Sequence, residues 1–139
     1  MIAGADIDTG REDFEKALDT LSRFHSRYPD HHALNVRLAE VLMKARQYKQ
    51  CQEILLAHSE RRPKDDYVWY LLAEVHGLVG NIFEVHSARA EYFMLNGLYD
   101  KAIIQLKNAR LLRAEDKHAL AKIDERLKHA RRLRDTGRL

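Results

Sequence analysis

Eight histidines and one cysteine are the side chains of this chain best suited to chemistry, and their spacing serves none of it. His25, His31, His32, His58, His76, His86, His118 and His129 form no H-x3-H and no H-E-x-x-H, and no second cysteine accompanies Cys51. A zinc centre needs three or four converging donors at characteristic spacings. No metal ligand is therefore assigned, and the histidines are expected to pack or to face water, His58 and His76 falling at packing positions. Cys51 occupies a slot that calls for a small residue, which predicts a buried and inert thiol. No nucleophile–base pair is visible, and Gly4, Gly10 and the Gly77–Gly80 stretch form no phosphate loop. No catalytic residue, no enzyme activity and no cofactor are expected.

The elements that must position any site are written as a repeat. Leu-Ala-Glu-Val occurs at Leu38–Val41 and again at Leu72–Val75, a step of 34 residues, and the only prolines, Pro29 and Pro63, share that step. The period resembles the tetratricopeptide repeat (TPR), a pair of antiparallel helices A and B with the pattern W-x2-L-G-x2-Y, A-x3-F, P. Trp69-x2-Leu72-Ala73-x2-His76 follows the opening of that pattern, with Ala for Gly and His for Tyr; Asn35 stands where Trp69 stands. The small residue at Ala39 and Ala73 is explained by close approach of helices A and B. The B helices share an aromatic, a small residue and a leucine: Phe14, Ala17, Leu21; Tyr48, Cys51, Leu55; Tyr99, Ala102, Leu106.

This places helices at 11–28, 32–45, 48–61, 66–79, 82–96, 98–112 and 116–134, separated by turn signals such as Tyr28-Pro29-Asp30, Gly80-Asn81 and Asn96-Gly97. Asp66 is read as an N-cap and Gly80 as a helix stop. The fold class expected is all-α: a TPR-type helical-hairpin solenoid of about seven helices, about three repeats plus a C-terminal capping helix. Ala90-Glu91 echoes Ala73-Glu74 after only 17 residues. The helix at 82–96 should therefore act as a B helix to its predecessor and as an A helix to its successor.

A chain of 139 residues, 45% hydrophobic and 32% charged, is expected to form a single domain over 1–139: an N-terminal extension at 1–10, TPR helices over 11–112 and a basic cap at 116–134. No apolar run is long enough to span a bilayer, and the first nine residues lack the pattern of a signal peptide. The start reads as a cut from a longer protein. Net charge is +3, but residues 122–138 hold seven Lys/Arg against three acids, leaving the rest near −1. That last helix carries an apolar stripe, Leu120, Ile123, Leu127 and Ala130, and no interleaved aromatics. It is read as a cap over the core and not as a nucleic-acid binder.

In such arrays the A helices line the face that takes peptide segments. Val36, Glu40, Met43, Tyr67, Tyr70, Glu74 and Glu91 are the expected partner-binding residues. Tyrosine and methionine supply contact area, and the carboxylates select the partner's charge. The competing reading pairs the acids with Arg37, Arg89 or other local bases. Partners are expected to be proteins or extended peptide segments.

One stretch goes beyond a generic repeat. Val68-Trp69-Tyr70-Leu71-Leu72-Ala73-Glu74-Val75-His76-Gly77-Leu78-Val79-Gly80-Asn81 leads into Val85-His86-Ser87-Ala88-Arg89-Ala90-Glu91-Tyr92-Phe93, then into Gly97-x-Tyr99-Asp100-Lys101-Ala102-Ile103 and Gln105-Leu106-Lys107-x-Ala109-Arg110. It resembles the C-terminal TPR half of the BepA-like periplasmic zinc metallopeptidases of Gram-negative bacteria. The resemblance implies a periplasmic module that contacts outer-membrane assembly partners, client proteins or the parent's own protease domain. It carries over no catalytic or metal residue, because H-E-x-x-H is missing from this chain. The alternative is a free-standing TPR adaptor or co-chaperone in another compartment.

Overall fold

The computed structural model describes the backbone from Ile2 to Gly137 and side chains from Asp13 onward. Among the described residues all regular structure is α-helical: α1 (Ile2–Arg27), α2 (His32–Lys44), α3 (Tyr48–Arg61), α4 (Asp66–Leu78), α5 (Ile82–Leu95), α6 (Tyr99–Leu112) and α7 (Lys117–Gly137). None is long and apolar enough to cross a membrane. The chain divides into two compact units, one through Arg61 and one from Arg62 onward. In the first, α2 packs against both α1 and α3; in the second, each of α4 to α7 packs against its neighbours in sequence.

Six helices lie within a few residues of the expected spans. The exception is α1, which runs back to Ile2 through the stretch read as a non-repeat extension. No proline interrupts that stretch, and once a helix is nucleated each added residue gains a backbone hydrogen bond. The period is kept in the elements: α2 and α4 open 34 residues apart at His32 and Asp66, and α3 and α5 at Tyr48 and Ile82.

The repeat is enforced by backbone chemistry at the turns. Asn35 Nδ2 donates to the Pro29 carbonyl at 2.8 Å, and Trp69 Nε1 donates to the Pro63 carbonyl at the same distance. Two unlike side chains thus make one clamp at equivalent positions, pinning the turn to the first helix of its hairpin. The stops also repeat. Arg46 and Gly80 both take left-handed backbone, φ 62° and 80°. In each case the next amide reaches back to the helix, Gln47 to Leu42 and Asn81 to His76, both at 2.9 Å. Gly97 (φ 73°) ends α5 in the same way, with the Leu98 amide bonded to the Phe93 carbonyl at 2.8 Å. So α5 is placed like α3 by its start but ends like α2 and α4, matching the double character expected of it. The N-cap of α4 is Asp65, not Asp66: its side chain accepts from the Tyr67 amide. Asp66 sits in the first turn instead, where its charge favours the positive end of the helix dipole.

Helices approach closely where side chains are small. Ala39, Cys51, Ala90, Ala102, Ala109 and Ala130 have no exposed surface. Cys51 is packed so tightly that its thiol donates to the Ala39 carbonyl at 3.3 Å. In the second unit Ala90 and Met94 of α5 join Ala102, Ile103, Leu106 and Ala109 of α6 and Ile123, Leu127 and Ala130 of α7 in one cluster. The stripe read from α7 is therefore the face it buries.

Several histidines meet neighbouring groups. His31 caps α2 by accepting from the Leu34 amide, His25 meets Asn35 at 2.7 Å and His86 meets Gln105 at 2.7 Å. His32 Nδ1 and His58 Nε2 lie 2.6 Å apart with their rings stacked, so one ring donates and the other accepts. His76 is buried in α4, and burial lowers its pKa, with Glu84 pulling weakly in the other direction.

Two outcomes follow. Arg46→Gly removes a side chain from left-handed backbone and should stabilise the protein by about 1 kcal/mol; a lowered midpoint of thermal unfolding, followed by circular dichroism, contradicts this. The depressed His76 pKa means the unfolded chain takes up that proton first as pH falls. Stability should therefore be full above about pH 6.5 and decline below it, by no more than about 1.4 kcal/mol per pH unit from this group. His76→Gln should flatten that part of the pH profile of thermal stability.

Candidate functional site: a groove between α4 and α5

Three contacts set the antiparallel register of α4 and α5. Asn96 Nδ2 donates to Asp66 at 3.2 Å, the Tyr70 and Tyr92 rings lie 5.7 Å apart, and a methyl group at Gly77 would touch Val85 at 3.7 Å. The same register brings Ala73 opposite Arg89. Between them opens a groove of about 350 Å³, lined by Tyr70, Ala73, Glu74, Arg89, Tyr92 and Phe93.

The groove exists because of a substitution within the repeat. In the first unit the residues 34 positions before Ala73 and Arg89 are Ala39 and Leu55, and both are completely buried. Where a leucine holds the slot of Arg89, neither residue of the pair is open to water. An arginine in that slot takes its charged head to water, because burying an unpaired guanidinium is costly. Arg89 is exposed and Ala73 is only half-buried. The small residue thus has two roles: Ala39 permits close contact, as expected, whereas Ala73 forms a wall of the groove.

Aromatic rings frame one end. Tyr67 stacks on Tyr70 at 6.1 Å, Tyr70 tilts against Tyr92, and Tyr92 meets Phe93 edge-on at 5.8 Å. Tyr67 and Tyr70 keep 42% and 50% of their surface exposed, although their neighbours Val68, Leu71 and Leu72 are buried. Rings left open to water in a stacked row offer large contact area at small entropic cost.

Of the seven residues read as a binding face, the structure brings Tyr67, Tyr70 and Glu74 together here. Glu91 points elsewhere: its carboxylate accepts from Arg126 Nη2 of α7 at 2.5 Å, an ion pair as in the competing reading but with a base distant in sequence rather than a local one. The reason is angular, since α5 residues 89 and 92 face α4, 93 sits between the groove and the α6–α7 cluster, and 90, 91 and 94 turn toward α6 and α7. Val36, Glu40 and Met43 lie half-buried on α2 of the first unit. Arg89, Tyr92 and Phe93 were not selected from sequence as lining residues. Comparing α5 with α3 at the 34-residue step exposes them, since Leu55 becomes Arg89 and His58 becomes Tyr92. A second cavity, about 340 Å³, lies at the α4–α5 turn, where Arg113 covers the Phe83 ring at 4.3 Å.

Residues 9–75 match the tetratricopeptide repeat family. Two solved structures share the fold. One, described as "MamA RS-1 ArsTM double mutant", is 20% identical with a TM-score of 0.58, covering 91% of this chain and 71% of that one. The other, a crystal structure of MamA protein, is 16% identical with a TM-score of 0.59, covering 94% and 80%. No curated protein matches the chain. The fold is thus all-α and built from TPR-type helical hairpins.

The Glu91–Arg126 pair is partly exposed. A double-mutant cycle with Glu91→Gln and Arg126→Met should give a coupling of about 0.5–1 kcal/mol. A coupling near zero would show that the pair does not help hold α7 in place.

Proposed function

We propose that this protein is a non-catalytic TPR-type scaffold whose α4–α5 groove receives a segment of a partner polypeptide. The observation that carries the reading is the arginine at position 89. Leucine in that slot closes the equivalent seam of the first unit, so the open groove is kept at the expense of buried apolar surface. Tyr67 and Tyr70 supply rigid contact area beside it, and Glu74 supplies a charge at its rim.

The resemblance of the Tyr67–Arg110 stretch supports a more specific setting. In that reading the chain is the C-terminal module of a BepA-like periplasmic zinc metallopeptidase. It presents envelope proteins to the parent enzyme during outer-membrane protein quality control. The alternative is a free-standing adaptor or co-chaperone elsewhere. The coding sequence upstream of Met1 separates the two: an in-frame H-E-x-x-H domain with a signal peptide supports the first, and a stop codon directly upstream supports the second.

The groove itself is tested by Arg89→Leu. This change should cover Ala73 and stabilise the protein by about 1–2 kcal/mol, while sharply reducing capture of envelope proteins in a pull-down. Tyr70→Ala should reduce capture without the gain in stability. Retention of every partner by both variants would sink the proposal.

A further inference from the structure

The second unit is electrically divided. Helix α4 contains Asp66 and Glu74 and no lysine or arginine. With α5 the hairpin holds four carboxylates against Arg89 alone, and one of the four, Glu91, is paired with Arg126 of α7. Helices α6 and α7 hold ten Lys/Arg against four carboxylates, a net +6. At physiological salt, charges more than about 8 Å apart are largely screened, so a ligand in the α4–α5 groove responds mainly to the groups that line it, Glu74, Arg89 and the aromatic rings.

The groove's aromatic end suits a cation for a second reason. The faces of tyrosine and phenylalanine carry negative potential and attract ammonium and guanidinium groups within about 6 Å. The protein already uses this locally: Lys101 Nζ stands 5.9 Å from the centre of the Phe93 ring. Tyr70 and Tyr92, 5.7 Å apart and inclined at 55°, line the groove beside Phe93, and Glu74 lines it too. Arg89 is the one cation in the lining and reaches water.

From these observations we infer that the groove selects a basic segment, seating a lysine or arginine side chain of the partner against Tyr70 and Tyr92 with Glu74 as counter-charge. The inference rests on the binding role proposed above and adds the partner's chemistry. An acidic segment would meet Glu74 and the negative faces of the rings and be disfavoured there.

Fluorescence anisotropy with a fluorescein-labelled Lys-Gly repeat peptide, and a Glu-Gly repeat of equal length, tests this on the full chain. The Lys-Gly peptide should bind and weaken as salt rises, and the Glu-Gly peptide should not bind. Tyr70→Leu, which keeps the bulk and removes the aromatic face, should weaken Lys-Gly binding about 3- to 10-fold, while Tyr70→Phe should retain it. Glu74→Gln should weaken it as well. Equal binding of both peptides overturns the inference, as does indifference to Tyr70→Leu. If Arg89→Leu abolishes envelope-protein capture while Lys-Gly fails to bind, the scaffold role stands and only the cation preference falls. If Lys-Gly binds and Arg89→Leu leaves capture unchanged, the scaffold role fails instead.

Discussion

Close approach of helices across alanine-sized residues is the constraint on which the rest of this structure depends. Ala39, Cys51, Ala90, Ala102, Ala109 and Ala130 are wholly buried, and each lets a neighbouring backbone come near. Dispersion and apolar burial both grow as that gap closes, and larger side chains would hold the helices apart. The contact of the Cys51 thiol with the Ala39 carbonyl shows how little space remains. The leucines and isoleucines of the core fill the flanks of these seams, and their positions follow from where the small residues allow contact.

One seam departs from this pattern. Ala73 has the sequence context of a contact residue, yet it faces Arg89 and not a leucine. The guanidinium stays solvated, the apolar surface of Ala73 stays partly open, and the tyrosines beside it keep half their area exposed. A groove formed in this way gives up core packing locally, while the surrounding seams hold its walls rigid. Rigid walls matter for recognition, since less freedom is lost when a partner binds. The Glu91–Arg126 pair and the α5–α7 cluster brace the far side of α5.

Much of the architecture was legible in the chain because the repeat is carried by local chemistry. Prolines, helix stops and the periodic small residues act over a few positions, so a 34-residue ruler located six of seven helices closely. Asn35 and Trp69 differ in size and shape, but what the fold needs at that position is an N–H donor for a proline carbonyl, and both side chains have one. Helix α1 begins earlier than its sequence signals place it, because weak helix signals are extended by cooperativity once a helix exists.

Helix order, the 34-residue period and the apolar stripe of α7 are legible in the chain alone, because each depends on spacing along one helix. Which candidate binding residues share a site depends instead on how the helices pack. Glu74 and Glu91 look alike in their Ala-Glu pairs, yet Glu74 lines the groove and Glu91 is bound to Arg126. The difference is the angle each residue takes around its own helix relative to the neighbours packed on it. That angle becomes defined only when α4, α5 and α7 have settled into register.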